Sequence, residues 1–240
     1  MSIIYKPQGK AGEYAALACN LYKGCDHGCT YCYAPNILHV EREQFIKPTI
    51  RNENLLDVLE QEAKALTPKE PILLCFTCDP YCHFDEKEKL TRGAIQILHH
   101  HGHRVDVLTK GGTRALRDLD LFGPLDSFGT TLTLWRGEAA KQWEPAAATP
   151  KERCDAIKEF HKKGVPTWMS LEPVLNPADT LDIIRGTHEY VDLYRVGKLN
   201  HHRLADAIDW RLFARQVADL LVSLGSKFVL KEELRTQYLR

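Results

Sequence analysis

Short apolar runs rich in β-branched residues alternate with longer amphipathic segments along most of the chain, and this alternation narrows the possible folds more than any other feature. The runs at 15–22, 72–77, 104–110, 127–134, 166–174, 192–198 and 226–230 read as strands. Residues 54–66, 89–100, 113–121, 150–163, 177–190 and 210–224 carry helical periodicity. The punctuation agrees: Gly102, Gly164 and Gly225 stand where helix C-caps belong, and Thr149-Pro150 and Asn176-Pro177 supply an N-cap followed by a first-turn proline. Alternating strands and helices require a parallel sheet with right-handed crossovers, and six or seven units are too few for an eight-unit barrel. The expectation is an α/β fold: an incomplete, open (β/α)6-type barrel, mostly parallel, with outer helices. One domain would span 1–240, with its core at about 15–225.

Such folds place their sites at the carboxyl ends of the strands. The first predicted strand runs into Cys25-Asp26-His27-Gly28-Cys29-Thr30-Tyr31-Cys32, three thiols spaced C-x3-C-x2-C, with Gly24 and Gly28 allowing a tight loop. A cubane iron-sulfur cluster normally takes four thiolates, so three would leave one iron open to an exogenous ligand. The competing reading is a Cys3His zinc site using His27, against which the usual paired two-residue spacing is missing.

Composition limits the setting. Lysine plus arginine and aspartate plus glutamate both number 32, so no global positive field advertises nucleic acid. The amino terminus lacks a signal-peptide pattern and no run of about 18 apolar residues occurs, so a cytoplasmic protein without a membrane partner is expected. Eight cysteines in a reducing compartment point to metal binding or chemistry before disulfides.

The cysteine loop, with an aromatic residue beside its last thiol and a partial α/β barrel around it, resembles the signature of radical S-adenosylmethionine (radical SAM) enzymes. More narrowly, Cys29-Thr30-Tyr31-Cys32-Tyr33-Ala34, Thr77-Cys78-Asp79-Pro80-Tyr81 and Leu108-Thr109-Lys110 are similar to the spore photoproduct lyase-like branch. The likeness covers about residues 17–200 and loosens after the cysteine loop. It implies a [4Fe-4S] cluster on Cys25, Cys29 and Cys32 that binds SAM and, given an electron from a reducing donor, cleaves it to a 5'-deoxyadenosyl radical for hydrogen abstraction.

The same resemblance implies roles for individual residues. Thr77, Cys78 and Asp79 would meet the methionine amino group of SAM, largely through backbone oxygens, though Asp79-Pro80-Tyr81 also reads as a plain turn. Lys110 would bind the SAM carboxylate, and Thr131, which shares strand parity with Thr133, would offer a hydroxyl to the cofactor. Tyr31 and Tyr33 would shield the cluster, contact adenine or relay a hydrogen atom. Cys78 is the candidate hydrogen donor, although the lyase's donor register falls nearer Phe76 or Cys75. Ser170 and Glu172 share a face of the fifth strand and Arg195 stands on the sixth; Glu172 and Arg195 are cofactor-binding candidates or an ion pair with each other.

Other groups stand outside that scheme. Cys75, Cys78 and Cys82 form a second triple that an auxiliary cluster would use, opposed by the strand parity of Cys75; packing accounts for Cys19 and Cys154. His99, His100 and His101 would fan over three helix faces and fail to converge on one ion. His201 and His202, at the carboxyl end of the sixth strand, would either contact substrate or belong to a surface loop. The expected function is an enzyme of radical chemistry, possible substrates including DNA repaired in a lyase-like reaction along a groove of Arg104, Lys110, Arg114, Arg117 and Lys198. Alternatives are radical modification of a peptide, RNA or metabolite, and a non-catalytic zinc-binding module.

Overall fold

The structure is a computed structural model that describes residues 2–200 and 202–239. Its strands are β1 (Ile4–Tyr5), β2 (Leu17–Cys19), β3 (Tyr22–Lys23), β4 (Thr49–Ile50), β5 (Ile72–Leu74), β6 (Val105–Thr109), β7 (Ser127–Thr131), β8 (Thr167–Val174), β9 (Leu193–Lys198) and β10 (Lys227–Leu230). Eight of them form one sheet in the order β1-β2-β5-β6-β7-β8-β9-β10, while β3 and β4 pair separately. Within the eight-stranded sheet only β1 is antiparallel to its neighbour and the other pairs are parallel, while β3 and β4 pair antiparallel. The end strands β1 and β10 are not paired with each other, so the barrel is open, as the strand count predicts.

Strand alternation gives the sheet two different faces. Leu17, Cys19, Ile72, Leu74, Val105, Val107, Phe128, Met169, Leu171, Tyr194 and Val196 are buried beneath the crossover helices in the main core. Leu55–Ala65 and Leu90–His100 each turn one apolar stripe toward this layer. The opposite face carries a smaller apolar group, Ala18, Leu73 and Trp168, packed with Tyr5, Tyr14, Phe76, Leu108 and Leu193. A short 3-10 turn at Gly9–Glu13 delivers Tyr14 onto that face.

The local signals act as expected. Thr149 and Glu152 form a reciprocal capping box, and the Asn176 side chain accepts from the Ala178 and Asp179 amides. Gly102 and Gly164 close their helices at φ +78° and +81°. Two expectations need revision. The predicted strand 15–22 divides into β2 and β3, because Asn20 spends its side chain on the chain after β5. The segment 113–121 is 3-10 rather than α-helical, spanning Gly112–Leu121. The two-residue β1 is too short for any periodicity; Glu62 holds it by accepting from the Ile3 and Ile4 amides at 3.0 and 2.8 Å. Among the described residues no helix is long and apolar enough to cross a membrane.

Candidate functional site

The cysteine loop leaves β3 at Gly24, whose φ of +91° and contact with the Phe45 carbonyl leave no space for a side chain. Several elements then fasten the loop. The Cys25 amide donates to Phe45 O at 2.9 Å and the Thr30 amide to Trp143 O at 2.8 Å. Arg42 donates Nη1 to Cys29 O at 2.8 Å and Nη2 to Cys32 O at 3.1 Å, joining two of the three cysteine backbones with one guanidinium. Burial pushes the Cys25 thiol well up and the Cys29 thiol to about 12, so without a cationic metal centre these sulfurs stay protonated.

The three sulfurs are not a group whose ligand atoms all lie within 4.8 Å of one another. Thiolates around one tetrahedral zinc would sit about 3.8 Å apart, given a Zn–S bond of about 2.3 Å. The close spacing that a single zinc ion requires is therefore not met. His27 is also committed elsewhere: Arg114 donates to its Nε2 at 2.9 Å, and its Nδ1 stands 3.4 Å from Asp79 Oδ2. Burial, with Arg114 beside it, pushes His27 down to about 4, so the ring is neutral and both nitrogens are occupied by protein. The Cys3His zinc set is therefore not assembled.

Below the loop lies a buried ionic group that the sequence did not disclose. Glu144 accepts from the Tyr31 hydroxyl and, at 3.1 Å, from Thr133 Oγ1, and faces Arg153 Nη2 at 2.6 Å. Arg153 also donates to Thr131 O at 3.0 Å and Ala148 O at 2.8 Å. The Lys110 ammonium lies over the Tyr31 ring, 5.6 Å from its centroid. Burial pulls Lys110 down, but the charges around it, the ionised Glu144 among them, outweigh it and hold the ammonium above its ordinary value. A permanent cation thus stands beside the cysteine loop.

The residues after β5 are organised by two side chains. Asn20 Oδ1 accepts from the Phe76 and Thr77 amides at 2.8 and 3.0 Å, and Cys78 Sγ approaches it at 3.9 Å. Asp79 turns its carboxylate inward, accepting from Thr109 Oγ1 at 2.6 Å, the Lys110 amide at 2.7 Å and the Tyr81 amide at 2.8 Å. Burial raises its carboxyl, yet His27 and these donors outweigh it and keep Asp79 ionised below its usual range. The Asp79 side chain ties β6 to the β5 turn, and its carbonyl accepts from the Cys82 amide at 3.4 Å. Cys75, Cys78 and Cys82 are all buried; the Cys75 and Cys78 thiols meet in a hydrogen bond, which corrects the strand-parity expectation, but the three sulfurs do not all lie within 4.8 Å of one another.

Glu172 and Arg195 are not each other's main partners. Glu172 fills the space a side chain at Gly197 would take, accepts from Tyr14 OH at 2.5 Å, and pairs with Lys231 at 2.9 Å. Arg195 lies against the Tyr14 and Trp168 rings and donates to Glu13 O at 2.7 Å. Both predicted cofactor residues thus hold the amino-terminal turn and the chain after β10. Ser170 shares a 2.9 Å hydrogen bond with Tyr14. Thr131 is buried at the end of β7, and Tyr33 is half exposed with its hydroxyl 3.4 Å from Phe76 O.

The five cations of the expected phosphate groove do not share one surface. Arg104 precedes β6 at the amino end of the sheet, Arg114 donates to His27 and Tyr81 O, Arg117 pairs with Asp85, Lys110 lies over the Tyr31 ring, and Lys198 covers the Trp210 ring. His201 lies outside the described residues; His202 caps the following turn by accepting from the Leu204 amide at 3.2 Å.

An open α/β sheet with a three-thiol loop at its carboxyl ends defines a cofactor-dependent enzyme class. The family model of the radical SAM superfamily matches residues 19–191, and the chain belongs to that superfamily. Its members use a [4Fe-4S] cluster and SAM, and SAM-dependent radical chemistry is the activity the family carries. An uncharacterized protein of Methanocaldococcus jannaschii is 26% identical over 185 residues, 75% of this chain and 69% of that one. An uncharacterized Mycobacterium tuberculosis protein is 28% identical over 166 residues, 65% of this chain and 48% of its own length.

Among solved structures, spore photoproduct lyase complexed with dinucleoside spore photoproduct aligns with a TM-score of 0.69 at 12% identity, covering 94% of this chain and 79% of that one. SuiB of Streptococcus suis bound to S-adenosylmethionine gives 0.66 at 13% identity, covering 92% of this chain and 51% of SuiB. These likenesses show a shared fold. The chain spans about half the length of SuiB and of the mycobacterial relative.

Proposed function

We propose that the chain binds a [4Fe-4S] cluster through Cys25, Cys29 and Cys32 and positions SAM across the carboxyl ends of β5, β6 and β7. The observation that carries this reading is the tethered three-thiol loop with the half-buried Lys110 ammonium beside it. When bound, the cluster and SAM supply a 5'-deoxyadenosyl radical that abstracts a hydrogen atom from substrate. The chain's own work is positioning. Lys110 offers its ammonium to the SAM carboxylate, the Thr77–Asp79 backbone meets the amino group, and Thr131 contributes at the end of β7. Tyr31, held by Glu144, packs between the loop and β7 and keeps water from that side. Cys78 is the thiol proposed to return a hydrogen atom, and Tyr33 lies beside the same turn.

The internal commitments of Arg114 and Arg117 favour a peptide or small metabolite over a nucleic-acid duplex, because a phosphate groove needs several free cations on one face. The structural likeness to spore photoproduct lyase keeps a repaired nucleotide as the second reading. Anaerobic reconstitution with iron and sulfide, reduction and addition of SAM should yield 5'-deoxyadenosine from the wild type and none from a Cys25→Ala, Cys29→Ala, Cys32→Ala variant. Equal yields from both would overturn the assignment.

A further inference from the structure

At the end of the sheet opposite the cysteine loop, two helices bring three ligating groups together. Glu60 projects from the helix Leu55–Ala65, while His100 is the last residue of Leu90–His100 and His101 caps it. One ligand atom from each lies within 4.8 Å of the others. The expectation that three consecutive histidines diverge holds for His99, whose Nε2 is engaged by Asp126 at 2.9 Å. It fails for the next two. His101 leaves helical geometry at φ −93°, ψ 10°, which swings its ring beside that of His100, with centroids 4.9 Å apart.

We propose that Glu60, His100 and His101 form a zinc-binding site separate from the radical centre. The separation between His101 Nε2 and Glu60 Oε1 is 3.5 Å, and the nitrogen is shielded from solvent without a hydrogen-bond partner. That distance is long for a hydrogen bond. It is close to the roughly 3.3 Å between two ligands of a tetrahedral zinc whose Zn–N and Zn–O bonds are about 2.0–2.1 Å. A buried imidazole nitrogen left without a partner is costly, and a metal ion would satisfy it. The exposed His100 ring is free to rotate the remaining distance, and water would complete the set. Two imidazoles, one carboxylate and water are an accepted zinc environment.

The ends of the site are firm. The His101 amide donates to Ile97 O at 3.2 Å, Gly102 to His99 O at 2.9 Å and His103 to Leu98 O at 2.9 Å, while His103 Nε2 sits 2.9 Å from Ala63 O on the neighbouring helix. Zinc would therefore clip the Glu60 helix to the end of the His100 helix.

The test uses the cluster-loaded protein, so that the three loop cysteines are occupied, after brief treatment with a chelator. Zinc is titrated against a colorimetric zinc indicator while iron content and the visible spectrum of the cluster are followed. The wild type should bind one zinc per chain and melt at a higher temperature with it. Glu60→Gln and His101→Gln should each weaken binding at least tenfold and abolish the thermal shift, with iron unchanged; His99→Gln should bind as wild type. Absence of zinc binding, or binding unaffected by Glu60→Gln and His101→Gln, would overturn the site.

Discussion

Glu144 and Arg153 face each other at 2.6 Å with side chains essentially excluded from solvent, directly beneath the cysteine loop. The pair joins the helix Pro150–Lys162 to Tyr31 within the loop and to Thr133 beyond β7. Removing one partner of a buried pair leaves an uncompensated charge, which costs about 3–5 kcal/mol. Glu144→Gln should lower the unfolding free energy by that order, measured by chemical denaturation. Arg153→Met on top of it should recover part of the loss, because the orphaned charge goes too. Additive losses would show that the two residues act separately.

The same carboxylate sets an acid limit. Burial raises the Glu144 carboxyl, but Arg153 first and then Lys110 outweigh it and hold it below its ordinary value of 4.5. The unfolded chain then binds the proton more readily than the native one. The resulting stability is complete above the ordinary value and is lost as pH falls through the native one. The melting temperature of the cluster-free chain should fall from about pH 5 downward. The decline should be shallower in Glu144→Gln, which has no carboxyl to titrate at that site; parallel curves would remove Glu144 from the account.

Lys110 gives the most direct test of cofactor positioning. An ionic hydrogen bond to the SAM carboxylate would contribute about 1.5–3 kcal/mol. Lys110→Met, which keeps the apolar stem over Tyr31, should therefore weaken SAM binding by roughly tenfold to a hundredfold. Equilibrium dialysis against radiolabelled SAM measures this, with iron content as the control. Unchanged affinity with full iron loading would place the carboxylate elsewhere.

Much of the architecture was legible because it rests on local chemistry. Thr149 and Asn176 announced helix starts, and the 2.0 and 3.6 periods separated β6–β9 from the crossover helices. The cysteine spacing announced its loop for the same reason, since its three thiols are neighbours in sequence. Pairings across long separations were invisible. Glu172 meets Tyr14 across 158 residues and Arg195 reaches Glu13 across 182, contacts that no periodicity encodes. Asn20, Glu144 and Arg153 look ordinary in sequence and acquire their roles only when the sheet brings distant strands side by side. The expected phosphate groove failed similarly, because counting cations says nothing about which carbonyls and carboxylates absorb them.

Arg42 provides a last test, of how the chain keeps its cysteine loop in shape. Its two nitrogens hold the carbonyls of Cys29 and Cys32, so one planar group fixes the spacing of two thiol-bearing residues. Charge-assisted hydrogen bonds of this kind are worth more than neutral ones, and a fork with fixed geometry loses less freedom on binding than a flexible ammonium. Arg42→Ala should leave the fold intact, since the side chain is only half-buried and its partners are loop carbonyls that water can solvate. It should nevertheless release iron several-fold faster when the loaded protein is challenged with a ferrous chelator. Arg42→Lys, able to reach one carbonyl at a time, should fall between the two. Equal release rates in all three proteins would mean that the thiol geometry is set by Gly24 and the Cys25 and Thr30 amides without Arg42.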